Sequence, residues 1–303
     1  MMLYIGCHLP ISDGFYKTAQ VAFSIGANTF QYFTRNPRGG KAKKINTDEV
    51  KKARSFMAEN NFGVLLAHAS YTMNLCSNKE QTRKFAMDLL IDDLMRLKDL
   101  PESLYIFHPG SHVGQGVEKG IEFITGALNK AIEVNPKQWI LLEGMSGKGT
   151  EIGSRFEELK AIIEGVKENG NLGICLDTCH LYSAGYDVVN NLDGVLEEFD
   201  QSIGLEKLKA IHLNDSKMPF DSHKDRHEII GKGELGLEAI VNVITHPKIK
   251  QLPFSLETPG EPEDHAKEIH EIKDTIIQKL LYNSKINPSI LSDRILNKSW
   301  NPK

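Results

Sequence analysis

Leu172–His180 reads LGICLDTCH. Its first five positions form a short run with no polar side chain. Such a run suits a strand buried on both faces, as in a parallel sheet. The run ends on Asp177, and His180 follows three residues later. Seven more runs are built alike: Leu3–His8, Thr29–Thr34, Gly63–His68, Ser103–His108, Trp139–Glu143, Leu208–His212 and Pro253–Glu257. Their starts lie 26 to 45 residues apart, room for one strand, one helix and two loops. Helical patterns fill the gaps. In Asn78–Leu100 the apolar stripe runs through Phe85, Leu89, Leu90, Leu94 and Leu97. Ser77 with Glu80, and Ser154 with Glu157, read as capping boxes. Further helices fit Gly14–Ile25, Thr47–Asn60, Gly120–Glu133, Phe156–Asn169, Asn191–Ile203, Leu237–Thr245 and Asp264–Leu281. Eight strands alternating with eight helices predict an α/β fold, a single (β/α)8 TIM barrel over residues 1–281. Residues 282–303 are weakly periodic and rich in Asn, Ser and Pro, and are expected to form a short C-terminal extension.

Composition agrees with one soluble domain. Of 303 residues, 40% are hydrophobic and 25% charged, which excludes a disordered chain. No apolar stretch approaches the length of a membrane span, and the N-terminus lacks the basic leader of a signal peptide. Cys7, Cys76, Cys175 and Cys179 are too few and too scattered for a disulfide framework or a thiolate metal site. A reducing, cytoplasmic setting is expected. The formal charge of −4 argues mildly against a nucleic-acid partner.

Six of the eight runs end in a side chain able to bind metal: His68, His108, Glu143, Asp177, His212 and Glu257. Loop residues just beyond add His180, Asp225 and His227. In a barrel all strand C-termini point to one face, where active sites are built. One histidine at a strand end is ordinarily a satisfied polar residue; nine groups at corresponding places call for a common purpose. Histidine and carboxylate without thiolate suit Zn2+, Mn2+ or Fe. Nine donors exceed one tetrahedral site, and closely spaced cations are the usual clamp for phosphoester hydrolysis.

Three smaller signals sit near that face. Thr34–Lys44, TRNPRGGKAKK, follows the second strand and carries Arg35, Arg38, Lys41, Lys43 and Lys44, suited to phosphates. The third loop offers Tyr71 and Thr72, suited to stacking or groove contact. His8 and His112 are expected beside the ligands or on the surface. His223, His246, His265 and His270 receive no role. Gly147 and Gly149 do not form a dinucleotide cradle.

At these residues the chain resembles the endonuclease IV family of abasic-site DNA repair nucleases. The resemblance runs from Ile5 to about Leu281. It is most specific at FHPGSH (Phe107–His112), LDTCHLYSAGYD (Leu176–Asp187), HLNDSK (His212–Lys217), DRHEIIGKGELG (Asp225–Gly236) and LET (Leu256–Thr258). It implies three zinc ions per chain, with Mn2+ able to replace part. His68 and His108 would hold the first, and Glu143 would bridge first and second. Asp177, His212 and Glu257 would complete the second, and His180, Asp225 and His227 would hold the third. It also implies a monomer acting on double-stranded DNA, with no membrane partner. The phosphodiester 5′ to an abasic site would be hydrolysed, leaving a 3′-hydroxyl and a 5′-deoxyribose phosphate, with 3′-end trimming as a side activity. Glu143 and Glu257 would be the catalytic carboxylates. Arg35, Arg38, Tyr71 and Thr72 would meet DNA, with Arg38 in the minor groove. Ala69 stands where the family has Asp, Thr72 where it has a Leu wedge, Gly144 where it has Asn, and Gly39-Gly40 in place of a bulkier pair. None of these removes a ligand. Three Zn2+ would carry the formal charge from −4 to +2, so the apo count understates affinity for DNA. Two competing readings remain: a sugar isomerase or epimerase on the same barrel, with one or two ions, and an inactive damage-binding protein.

Overall fold

The computed structural model describes residues 3–284, and all eight expected strands are present. They are β1 Tyr4–Cys7, β2 Gln31–Phe33, β3 Leu65–His68, β4 Ser103–Phe107, β5 Ile140–Glu143, β6 Leu172–Asp177, β7 Leu208–His212 and β10 Pro253–Leu256. Two short strands, β8 Asp215–Ser216 and β9 His227–Glu228, pair antiparallel as a separate hairpin. The helices are α1 Phe15–Ser24, α2 Thr47–Glu59, α3 Glu80–Arg96, α4 Val117–Ala131, α5 Phe156–Gly165, α6 Thr178–Ser183, α7 Leu192–Ser202, α8 Gly236–Thr245 and α9 Pro262–Ser284. The main sheet is wholly parallel, in the order β1-β10-β7-β6-β5-β4-β3-β2. A single parallel bridge from His8 to Gln31 joins its two edges and closes the barrel. The approach there is tight: a Cβ on Gly6 would lie 1.9 Å from the Thr29 carbonyl oxygen. Only glycine lets the two strands meet.

Side chains alternate along each strand. Leu65, Ala67, Tyr105, Phe107, Ile140 and Leu142 face outward into the layer shared with the helices. Leu66, Leu104, Ile106, Leu141, Cys175 and Ala210 form a separate cluster inside the barrel. Among the described residues no helix is long and apolar enough to cross a membrane. The extension expected over 282–303 lies outside the described residues beyond Ser284.

Helix starts differ from both capping boxes. The Ser77 hydroxyl accepts from the Lys79 amide, and α3 begins only at Glu80. Ahead of α5, Glu158 rather than Glu157 takes the amides of Gly153 and Ser154, at 2.7 and 3.2 Å. A local side-chain turn forms in each case and postpones the helix. The cap with the expected geometry is Asn46, which accepts from Asp48 and Glu49 at the start of α2.

One buried cation supports the side of the barrel remote from the strand ends. Lys273 of α9 donates to the Gly26 carbonyl at 2.6 Å, and burial lowers its amine from 10.5 to about 8. The folded chain therefore releases this proton before the unfolded chain does. The cost of burying the charge is fully present below pH 8 and fades as pH rises to 10.5. Across that interval wild type is expected to gain about 2–3 kcal/mol of stability relative to Lys273→Met. Urea unfolding of both proteins at pH 7 and pH 10.5 measures the difference; parallel curves would contradict it.

Candidate metal centre

The inward alternation that lines the barrel with apolar residues also builds the site. Two residues beyond Leu66 comes His68; beyond Ile106, His108; beyond Leu141, Glu143. Asp177 stands in the same relation to Cys175, and His212 to Ala210. Glu257 follows Ser255 in the same way at the end of β10, and His8 follows Gly6. All converge at the C-terminal mouth. Their ligand atoms fall into groups able to hold a cation: His68, His108 and Glu143; Glu143, Asp177, His212 and Glu257; His180, Asp225 and His227. All nine expected residues are included, and Glu143 belongs to two groups. Cys179 also approaches Asp177 and His227, but burial pushes its thiol up to about 11.

Glu143 is the hub. One oxygen lies 3.0 Å from His68 Nε2 and 3.2 Å from His108 Nε2; the other lies 3.1 Å from His212 Nδ1 and 3.4 Å from His180 Nδ1. Burial opposes its ionisation, but His212, His108 and His180 outweigh burial and hold it well below the usual carboxylate range. Burial likewise opposes ionisation of Asp225, and His180 and His227 bring it to about 2. The histidines are also aimed. His68 Nδ1 lies 2.7 Å from the Ala69 carbonyl, His180 Nδ1 3.0 Å from that of Gly144, and His227 Nδ1 3.1 Å from that of Glu257. A ring whose Nδ1–H donates to a carbonyl presents its Nε2 lone pair elsewhere. His180 Nε2 and His227 Nε2 are buried without a hydrogen-bond partner. Both face Asp225 Oδ1, at 3.4 and 3.5 Å. Orphaned imidazole nitrogens beside a carboxylate, with no thiolate in use, fit a divalent cation such as Zn2+.

Elements too short to be read from the sequence carry the third group. The two turns of α6 hold His180, with Asp177 as N-cap accepting from His180 N at 3.0 Å. The β8/β9 hairpin holds His227. It is tied down by Asp215, fully buried, whose carboxylate accepts the amides of Ser216, Gly231, Gly233 and Leu235 at 2.8–3.0 Å. Two further residues lie hidden among the ligands. Asn214 donates to Asp177 Oδ2 at 2.7 Å and accepts from the Glu257 amide. Gln31 contacts both His212 and Glu257. For Gln31 the available signal was an inward polar residue on β2; Asn214 follows β7, two residues beyond His212.

Above the cation-ready groups, the third loop sets Tyr71 58% exposed at the rim, its ring 5.9 Å from His108 and 4.9 Å from Phe33. Thr72 is exposed and bonds the Ser70 hydroxyl. Arg38 lies on the basic loop, where its amide donates to Asn36. Arg35 is not available there, which corrects the expectation of a DNA contact. Its guanidinium is buried and donates to Asp93, Asp92 and the Gly40 carbonyl at 2.6, 2.7 and 2.7 Å. Arg35 fastens the base of the loop to α3. His112 accepts from Gly116 on the loop after β4, and His8 sits 3.9 Å from Glu257.

Known proteins resemble the chain over most of its length. Residues 19–275 match the family model described as xylose isomerase-like TIM barrel. The probable endonuclease 4 of Clostridium botulinum is 57% identical over 272 residues, covering 90% of this chain and 98% of the relative. That of Alkaliphilus oremlandii is 56% identical over 273 residues, covering 90% and 97%. The crystal structure of endonuclease IV from Thermus thermophilus superposes with a TM-score of 0.80 at 32% identity, covering 91% of this chain and 99% of that one. Solved sugar epimerases share the barrel below 25% identity, a likeness of fold alone. With the metal-ready mouth of its barrel and relatives matched over almost their full length, the chain belongs to the endonuclease 4 family of xylose isomerase-like TIM barrels.

Proposed function

We propose that the protein is a zinc-dependent abasic-site endonuclease. It hydrolyses the phosphodiester 5′ to the abasic sugar in double-stranded DNA, leaving a 3′-hydroxyl and a 5′-deoxyribose phosphate. It works as a monomer, and its side activity is the trimming of blocked 3′ ends. The observation that carries this reading is the set of three cation-ready groups at one mouth, linked through Glu143. Zn2+ held there supplies Lewis-acid stabilisation of the phosphate and an activated water. His68, His108 and Glu143 would hold one ion; Glu143, Asp177, His212 and Glu257 the second; His180, Asp225 and His227 the third.

The chain's own groups do the rest. Glu257 is partly exposed at the mouth, where it orients the attacking water towards phosphorus and takes up its proton. Glu143, enclosed by four imidazoles, keeps the cation groups in fixed relation. Tyr71 and Thr72 face the extruded sugar at the rim, and Arg38 reaches the duplex from the basic loop. Extrusion costs little where no base pair exists to be broken. DNA shape and deformability then supply most of the selectivity.

Metal analysis tests the reading. Protein dialysed against a strong chelator is expected to lose all incision of an abasic duplex. Reloading is expected to restore it as zinc approaches three ions per chain. Full activity in stripped protein, or saturation at one ion, would contradict the proposal; one or two ions is the count an isomerase needs.

A further inference from the structure

Gln31 is uncharged, yet its amide touches the side chains of two proposed ligands of a single cation. It is fully buried at the barrel seam, where the His8–Gln31 bridge closes the sheet. Its Nε2 donates to Glu257 Oε1 at 2.6 Å, and His8 Nδ1 lies 3.1 Å from the same nitrogen. Its Oε1 lies 2.7 Å from His212 Nε2. These contacts have one consistent assignment. An ionised carboxylate only accepts, so the amide nitrogen must face Glu257. The amide oxygen is then left for His212 and requires a proton on Nε2. With Nε2 so occupied, Nδ1 is the nitrogen left to bind a cation, and it points at Glu143 Oε1 (3.1 Å), Glu257 Oε2 (3.3 Å) and Asp177 Oδ2 (3.9 Å). His212 thus presents Nδ1 to the cation, whereas His180 and His227 present Nε2. A side chain that is donor and acceptor at once fits this place. Leucine or methionine would supply neither, and a carboxylate could not donate to Glu257.

We propose that Gln31 is a positioning residue for the reaction: through one amide it selects the His212 tautomer that binds the middle cation and fixes the rotamer of Glu257. This inference rests on the zinc-nuclease reading above. Removing such a support typically costs about 10–100-fold in metal affinity or activity. In Gln31→Met one zinc per chain is expected to leave that much more readily under a competing chelator, while the other two stay. kcat on an abasic duplex should fall by a similar factor and KM should move little. The metal-stripped variant should melt close to stripped wild type, which separates positioning from a merely structural role. Gln31→Glu keeps the acceptor for His212 but sets a second buried carboxyl against Glu257, so that the two share a proton or move apart and Glu257 is no longer a free, fixed carboxylate. It is expected to retain three ions and still lose kcat, and it carries the test should Gln31→Met fail to fold. Gln31→Met holding three ions as tightly as wild type with unchanged kcat would overturn the proposal, as would wild-type kcat in Gln31→Glu. Wild type that binds no zinc and leaves the duplex intact would sink the underlying reading instead.

Discussion

Glu257→Gln is expected to lower kcat on an abasic duplex by about 10²–10⁴-fold, the range for losing a positioned acid–base group. KM should change far less, because the rim residues proposed to meet DNA are untouched. The reason lies in the position of Glu257 at the open end of its cluster. Asp177 and His212 are fully enclosed and Glu143 nearly so, whereas the Glu257 side chain keeps 14% exposure. It is the carboxylate of that group which an incoming phosphate and its water can reach. Burial opposes its ionisation, but His212 and the contact with His8 keep it well below the usual carboxylate range, so it enters the reaction as an anion. Glutamine keeps the size and one oxygen ligand but cannot take a proton. Single-turnover incision with zinc content measured in parallel is the check. Near-normal cutting by the variant would end the assignment of Glu257.

Arg35→Met is expected to act on stability and leave the salt dependence of DNA binding alone. Asp93 is fully buried, and its partners are Arg35, at 2.6 Å, and Tyr105, at 2.9 Å. Removing the guanidinium strands a buried carboxylate, at a cost of about 3–5 kcal/mol. For a domain of this size that lowers Tm by roughly 10 °C. A phosphate-binding arginine would behave the other way: unchanged Tm and a shallower salt slope. Calorimetry together with binding titrations at several salt concentrations separates the two. A variant as stable as wild type with weakened DNA binding would restore Arg35 to the interface.

The residues that sequence reading found and missed differ for a physical reason. His68, His108, Glu143, Asp177, His212 and Glu257 were legible because strand periodicity fixes which way each points. A small or apolar residue two places earlier faces the barrel interior, so the polar one above it faces the mouth. Arg35 was misread because its partner Asp93 lies on α3, far along the chain, and sequence displays a charge but not what buries it. Gln31 was missed because a lone glutamine in a three-residue strand reads as a polar position. Its meaning comes from Glu257 and His212, brought to it only by barrel closure. The six residues of α6 and the two-residue strands of the hairpin are too short to show a period. The hairpin is held instead by Asp215 accepting amides from a glycine-rich loop. The nine-residue constellation can be listed from strand ends and loops; its division around Glu143 follows in the sequence only from the family resemblance, and the fold brings the same residues into the same groups.

The most direct test of the central claim is end analysis. Zinc-loaded protein is incubated with a duplex carrying one abasic site, labelled on both strand ends. A single cut 5′ to the site, with a 3′-hydroxyl and a 5′-deoxyribose phosphate, is the predicted result. An intact duplex in the presence of fully loaded protein, or cleavage 3′ to the abasic sugar, would contradict it.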